Sequence, residues 1–199
     1  MIVQYQEYVQ KIGNRKPIYK TVAKEYKVQS EIYPDSHIDI LPSLVIPKVI
    51  YVDNFKGTMS FFKQMDVIKK FIASHKEYEE VPCIEFLGQD YTKSIEIEPV
   101  DLIISQYAGF VGQATKQVLK VGGILLCNDS HGDATLANFD KDFQLVGVLE
   151  SNGTIRTHNL DVYFTSIKGK GIDLDFVRTK MKGLKYQNMA ENYLFEKVT

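Results

Sequence analysis

EIYPDSHIDILPSLVIPKVIYVD, residues 31–53, is the stretch on which the reading of the fold turns. A short apolar run, Glu31-Ile32-Tyr33, breaks at Pro34, and a polar turn follows, Asp35-Ser36-His37. LPSLVIP is flanked by prolines and leaves room for a turn or two of helix only. Lys48 to Val52 is then strongly β-forming and stops at an acid, Asp53. Strand, polar turn, short crossover, strand, acid is the order of a nucleotide-binding α/β half. In that plan the first turn holds the charged middle of a ligand and the acid takes ribose hydroxyls.

Upstream, residues 1–27 predict two helices. Ile2, Tyr5, Tyr8, Val9 and Ile12 recur at three- and four-residue spacing up to Gly13-Asn14, and Pro17 opens PIYKTVAKEYK. The pair packs on the sheet edge or covers a ligand. Downstream, residues 57–75 predict one helix with Phe61, Met65, Ile68 and Ile72 on its apolar face. Cys83 to Leu87 reads as a third strand with Gly88-Gln89-Asp90 at its tip. DLIIS is a fourth, ending at Ser105-Gln106-Tyr107. A helix over residues 113–119 stops at Val121-Gly122-Gly123, a glycine cap, and ILLCND is a fifth strand ending in Asn128-Asp129-Ser130. The unbroken apolar runs suit strands buried on both faces of a parallel sheet.

The end of the chain changes character. FQLVGVLE, residues 143–150, is a strand, and Ser151-Asn152-Gly153 is a turn signal. DVYFTSI, residues 161–167, alternates as an edge strand does, and residues 173–195 read as helix with a break near Gly183. The predicted organisation is a helical extension over 1–28, an α/β domain over 29–170 and a helical segment over 171–199 packed on that domain.

A chain of 199 residues buries a core without disulfides, and 44% hydrophobic with 25% charged residues is ordinary globular composition. A net charge of -1 gives no global pull toward nucleic acid or an anionic membrane. Cys83 and Cys127 lie in apolar runs with no CxxC spacing or paired histidines, so buried, reduced thiols are expected rather than a zinc site. The N-terminus has no signal-like apolar core and no run reaches the length of a membrane span, so a cytoplasmic location is expected.

With these motifs in place, residues 29–167 resemble the class I S-adenosylmethionine-dependent methyltransferases. IYPDSHID stands where that family has its first strand and glycine-rich loop, and IYVDNF matches the second strand with its acid. GQDY resembles the third-strand tip and PVDLIISQYAG the fourth strand. LKVGGILLCND resembles the segment leading through the fifth and is the most specific match. DFQLVGVLE with VYFTSI suits the family's antiparallel late strand. The resemblance implies an α/β, doubly wound, mostly parallel seven-stranded sheet with an antiparallel late strand and helices on both faces, a methyltransferase-like Rossmann fold.

It also implies S-adenosyl-L-methionine as cofactor, with residues in roles. Asp53 would accept from the ribose hydroxyls, Asn54 would lie beside the adenine, and Gln89 or Asp90 would meet its amino group. Tyr33, Pro34, Asp35, Ser36 and His37 would approach the methionyl end. Gln106 and Tyr107 would lie beside the sulfonium, with Ser105 to Tyr107 and Asn128 to Ser130 facing the methyl acceptor. The departure from the family is the turn itself, because Asp35-Ser36-His37-Ile38-Asp39 replaces GxGxG without a glycine. Either Asp35 binds the cofactor's amino group, or its side chain fills the site and leaves a binding or regulatory module without catalysis.

Methyl transfer asks mainly for alignment, and a general base serves only some acceptors. Tyr107, His131, Asp129 and His37 are the candidates, with a solvated turn histidine as the plainer reading of His131. DSHID and DSHGD offer Asp35, His37, Asp39, Asp129, His131 and Asp133 to a metal, without a diagnostic spacing. A nicotinamide-dependent reductase would bring GxGxxG, a serine hydrolase GxSxG, and an amino-group methyltransferase on nucleic acid an NPPY-type tip where SQYA stands. With no basic excess, a small-molecule acceptor is preferred to nucleic acid.

Overall fold

The computed structural model describes residues 2–150, 152–169 and 171–199. The chain divides into two compact units, Met1–Lys93 and Ser94–Thr199.

The first unit opens with α1 (Ile2–Ile12) and α2 (Lys16–Glu25), the second carrying Pro17 in its first turn where the missing N–H costs nothing. β1 (Ser30–Pro34), a 3-10 turn at Pro42–Leu44 and β2 (Lys48–Val52) follow. α3 (Lys56–Phe62), α4 (Met65–His75) and β3 (Cys83–Leu87) complete it. The three strands are parallel in the order β3-β2-β1. Their register sets Tyr33 beside Tyr51 and Tyr51 beside Phe86. Phe62 stacks on Phe86 at 4.4 Å and lies 5.0 Å from Tyr51, while Tyr19 of α2 meets Tyr33 at 6.2 Å. This aromatic ladder is the centre of the first core. Where one helix was expected over residues 57–75 there are two, broken at Lys63-Gln64. The break follows Phe61 and Phe62, adjacent residues that are both buried.

Two acids lie within that core. Asp39 accepts from Tyr19 Oη at 2.8 Å, Leu41 N at 3.1 Å and Tyr33 Oη at 3.4 Å, and the Arg15 guanidinium stands 4.0 Å away. Glu31 is fully buried with no hydrogen-bond partner for either oxygen among the described residues. Burial first, and the Asp39 charge second, push its carboxyl well above the ordinary range.

The second unit contains β4 (Val100–Ser105), α5 (Val111–Thr115) with a 3-10 turn at Lys116–Val118, and β5 (Leu119–Cys127). α6 (Asp133–Asn138), β6 (Phe143–Leu149), β7 (Ile155–Arg156), α7 (Leu174–Lys180) and β8 (Asn192–Lys197) follow. The strand order is β4-β5-β8-β6-β7. β4 and β5 pair in parallel, and β8 lies antiparallel between β5 and β6, with Tyr193 opposite both Cys127 and Val148. LIIS and ILLC are buried throughout, as their unbroken apolar runs require.

The fold is α/β, mostly parallel, with antiparallel late strands, and its described strands number eight rather than seven. Several local expectations are corrected. Gly122 and Gly123 do not cap a helix. They lie inside β5, where Gly122 takes φ +80° and the register jumps from Val100↔Leu119 to Leu102↔Ile124, so the glycines form a bulge. DVYFTSI is not an edge strand. Asn159 at φ +54° starts a 3-10 turn, Leu160–Val162, and only single bridges join Tyr163 to Asn188 and Ser166 to Tyr186. Helix is confined to Leu174–Lys180 where residues 173–195 were expected helical, and NYLFEK is a buried strand. Cys83, expected in the core, is exposed on β3, whereas Cys127 is buried. Ser151 of the expected turn lies outside the described residues. No helix among the described residues is long and apolar enough to cross a membrane.

Candidate functional site

The carboxyl ends of the parallel strands are where an α/β fold binds ligands. In the first unit these ends bring together the turn after β1 and the acid after β2. Asp35 N donates to Val52 O at 2.8 Å, fixing the turn to the end of β2. The backbone is left-handed at Asp35, φ +54°, and again at His37, φ +50°. Those are conformations that glycine supplies without steric cost, and Asp and His are among the side chains that tolerate them best. The shape of a glycine-rich loop is therefore kept by residues that add side chains to it. Asp35 is exposed, Ser36 is buried, and His37 is half-buried. Ser36 Oγ donates to His37 O at 3.4 Å.

Asp53 is 4% exposed and its carboxylate is held from three sides. Phe55 N donates to Oδ1 at 2.7 Å, closing an Asx turn, while His37 N and Thr58 Oγ1 each reach Oδ2 at 3.1 Å. Thr58 Oγ1 is also 3.2 Å from His37 Nδ1. The His37 ring lies 5.0 Å from the Tyr8 ring of α1 and 5.8 Å from Phe55, which is 58% exposed. A carboxylate offers about four acceptor positions. Three are taken here and one is open.

The other expected residues of this unit separate by burial. Tyr33 belongs to the core, its hydroxyl on Asp39, and Pro34 ends β1 paired with Val52. Asn54 is exposed beside Asp53. Gln89 N donates to Leu87 O at 2.9 Å. Asp90 accepts Thr92 N and Thr92 Oγ1, both at 2.8 Å, and the Thr92 backbone N–H leads in holding its carboxyl below the usual range.

In the second unit the tips of β4 and β5 form a network built mainly for order. Ser105 Oγ donates to Asp133 Oδ2 at 2.7 Å, and Gly112 N reaches the same oxygen at 2.9 Å. Burial nevertheless pushes the Asp133 carboxyl up to about 6. Gln106 Nε2 donates to Asn192 Oδ1 at 2.7 Å and Asn128 Nδ2 to Gln106 Oε1 at 3.5 Å, tying both tips to β8. Asp129 accepts Thr135 N at 2.6 Å and Thr135 Oγ1 at 2.8 Å, capping the first turn of α6, and burial raises its carboxyl to about 6. Thr135 Oγ1 and Tyr186 Oη are 2.8 Å apart. A Cβ on Gly183 would come 1.9 Å from Asp129 O, so only glycine fits there. Tyr107, at φ +56°, is half exposed with its hydroxyl 3.4 Å from Glu191 Oε1. Ser130 Oγ bonds Asn128 Oδ1 at 2.7 Å and lies 3.0 Å from Nδ1 of the half-buried His131. Asp129 thus serves as an anchor for α6, whereas Tyr107 is half exposed and His131 half-buried.

Among the described residues no group of three or more His, Cys, Asp or Glu is arranged to hold a metal ion. Sequence reasoning missed Thr58, Tyr8, Asn192 and Glu191. Thr58 was detectable as a hydroxyl in the first turn of the helix after an acid-ended strand. The other three are brought in by tertiary structure alone.

The parallel strands with antiparallel late strands make a Rossmann-like fold of the kind found in methyltransferases. Solved structures agree at the level of fold. A methyltransferase from Geobacter sulfurreducens superposes with a TM-score of 0.56 at 8% identity, covering 100% of this chain and 88% of that one. A candidate caffeoyl-CoA O-methyltransferase from Staphylococcus aureus gives 0.53 at 9% identity over 100% and 92% of the two chains. Residues 942–1257 of StiE O-MT give 0.52 at 13% identity over 92% and 72%. No protein-family model and no curated protein matches the sequence.

Proposed function

We propose that the protein is an S-adenosylmethionine-dependent methyltransferase acting on a small molecule. The observation that carries this is the joining of Asp53 to the turn after β1. A carboxylate stands at the end of the second strand, and its oxygen is bonded to the backbone of a turn that keeps a left-handed course without glycine. The residues fit the cofactor on that count. Asp53 would take the ribose, the backbone of Asp35 to His37 would face the methionyl end, and exposed Phe55 with Asn54 would lie beside the base. When bound, the cofactor supplies an electrophilic methyl group. The chain's own part is to orient it, since methyl transfer asks mainly for alignment. A net charge of -1 supports a small acceptor over nucleic acid.

A second reading has its own observation. Three internal donors already occupy Asp53, as they would in a methyltransferase fold that has become a binding or regulatory module. Calorimetric titration with S-adenosylmethionine and S-adenosylhomocysteine, with NADH as control, separates the two. Heat from both sulfur ligands, lost in Asp53→Ala, is the expected result. Folded protein that takes up neither ligand would overturn the enzyme reading in favour of the module.

A further inference from the structure

The contacts among Asp53, Thr58 and His37 have a direction that follows from counting protons. A carboxylate only accepts, so Thr58 directs its single hydroxyl hydrogen to Asp53 Oδ2, 3.1 Å away. The 3.2 Å contact between Thr58 Oγ1 and His37 Nδ1 is then a hydrogen bond only when Nδ1 carries the proton. A neutral ring in that tautomer presents Nε2 as a bare acceptor.

The three donors on Asp53 differ in their freedom. Two are backbone N–H groups, of His37 and Phe55, which leave only if the turn itself moves. The third, Thr58 Oγ1, is a hydroxyl whose hydrogen swings about one bond. When a ribose diol needs a second acceptor position on Asp53, Thr58 is the donor that yields. Of the two groups that Thr58 Oγ1 touches, His37 Nδ1 is then the one left to accept its hydrogen, provided that nitrogen gives up its own proton.

We propose that Thr58 is a positioning residue that couples occupation of Asp53 to the tautomer of His37. This rests on the reading of Asp53 as the ribose acid of a methyltransferase. With the site empty, the ring holds its proton at Nδ1 and accepts at Nε2. With the ribose hydroxyls on Asp53, the Thr58 hydrogen turns to Nδ1, the Nδ1 proton passes to water, and water returns a proton to Nε2. Charge is unchanged, and Nε2 becomes a donor. The loaded site therefore offers an N–H beside Tyr8 and Phe55, suited to a ligand carbonyl or carboxylate. The empty site offers a lone pair.

The test is nitrogen-15 NMR of the imidazoles in the full chain at about pH 8, where ordinary histidines are neutral, with His37 assigned by His37→Gln. Calorimetry on the same sample reports binding. The expected result is an Nδ1–H ring in the free protein and a shift to Nε2–H at saturating S-adenosylhomocysteine. Thr58→Ser keeps the response and Thr58→Val loses it. A free protein with Nε2–H overturns the proton chain whatever the ligand does. Binding with an unchanged tautomer overturns the coupling and leaves the cofactor reading standing. A response that persists in Thr58→Val overturns the role of Thr58. No heat of binding, with the Nδ1–H ring still present in the free protein, overturns the cofactor reading and removes the coupling with it.

Discussion

Glu31 is the second residue of β1, with two oxygens and no hydrogen-bond partner for either among the described residues. A buried polar group left unsatisfied costs about 1–3 kcal/mol. Glu31→Met keeps the length of the side chain and removes both oxygens. It is expected to raise stability by about 1–3 kcal/mol, read as a higher urea midpoint with an unchanged slope. A lower midpoint would contradict this account of Glu31. The turn after β1 teaches the opposite lesson about residues and rules. Glycine is the usual carrier of a left-handed turn, and its absence from Asp35-Ser36-His37 reads in sequence as a departure. Asp and His take the same conformation at φ +54° and +50°, tied down by Val52 and Asp53. What the residue types could not show was whether tertiary bonds would hold such a turn in place.

At the scale of elements, β8 supports the second unit more than its six residues suggest. It lies between β5 and β6 and pairs with both. Without it two strand edges open, and open apolar edges recruit other chains. A chain ending at Glu191 is expected to lose the fold of the second unit and to aggregate, measured as loss of soluble yield and of strand signal in circular dichroism. A soluble, cooperatively folded product would show that β5 and β6 close on each other. This strand was the main element that the sequence did not disclose. NYLFEK is short and follows a helix-like pattern, and its place is decided by pairing with segments far back in the chain. By contrast β1 to β6 were legible, β4 and β5 most plainly, because a strand buried on both faces announces itself by an unbroken apolar run. The site was legible to the same extent. The strand tips could be placed from order alone, so Asp53, Ser105, Gln106 and Asp129 were expected at strand ends, where they lie. Their bonding could not be placed, so the engagement of Ser105 with Asp133 and of Asp129 with Thr135 was not foreseen.

Over the whole molecule, buried acids set the dependence of stability on pH. Asp129 and Asp133 have carboxyls raised to about 6 by burial, and Glu31 and Asp39 are raised by the same cause. A raised acid keeps its proton in the folded chain at a pH where the unfolded chain has lost it. Stability therefore falls as pH rises through that window. From pH 5 to 7.5 the loss from Asp129 and Asp133 is expected to be roughly 1 kcal/mol each. Glu77, Asp140, Asp142 and Glu150 are shifted the other way, and their contribution is lost only at lower pH. Urea unfolding at the two pH values checks the sign, and greater stability at pH 7.5 would contradict it.

The position of β8 also has a consequence in time. The first unit ends at Lys93, so all of its strands are made before any strand of the second. The second cannot follow in step. β5 and β6 are both synthesised before the strand that belongs between them, and Cys127 waits for Tyr193. At roughly 5–20 residues per second, that interval lasts on the order of several seconds. For its duration the nascent chain carries two unpaired apolar edges, so its yield in the cell depends on what shields them before β8 arrives.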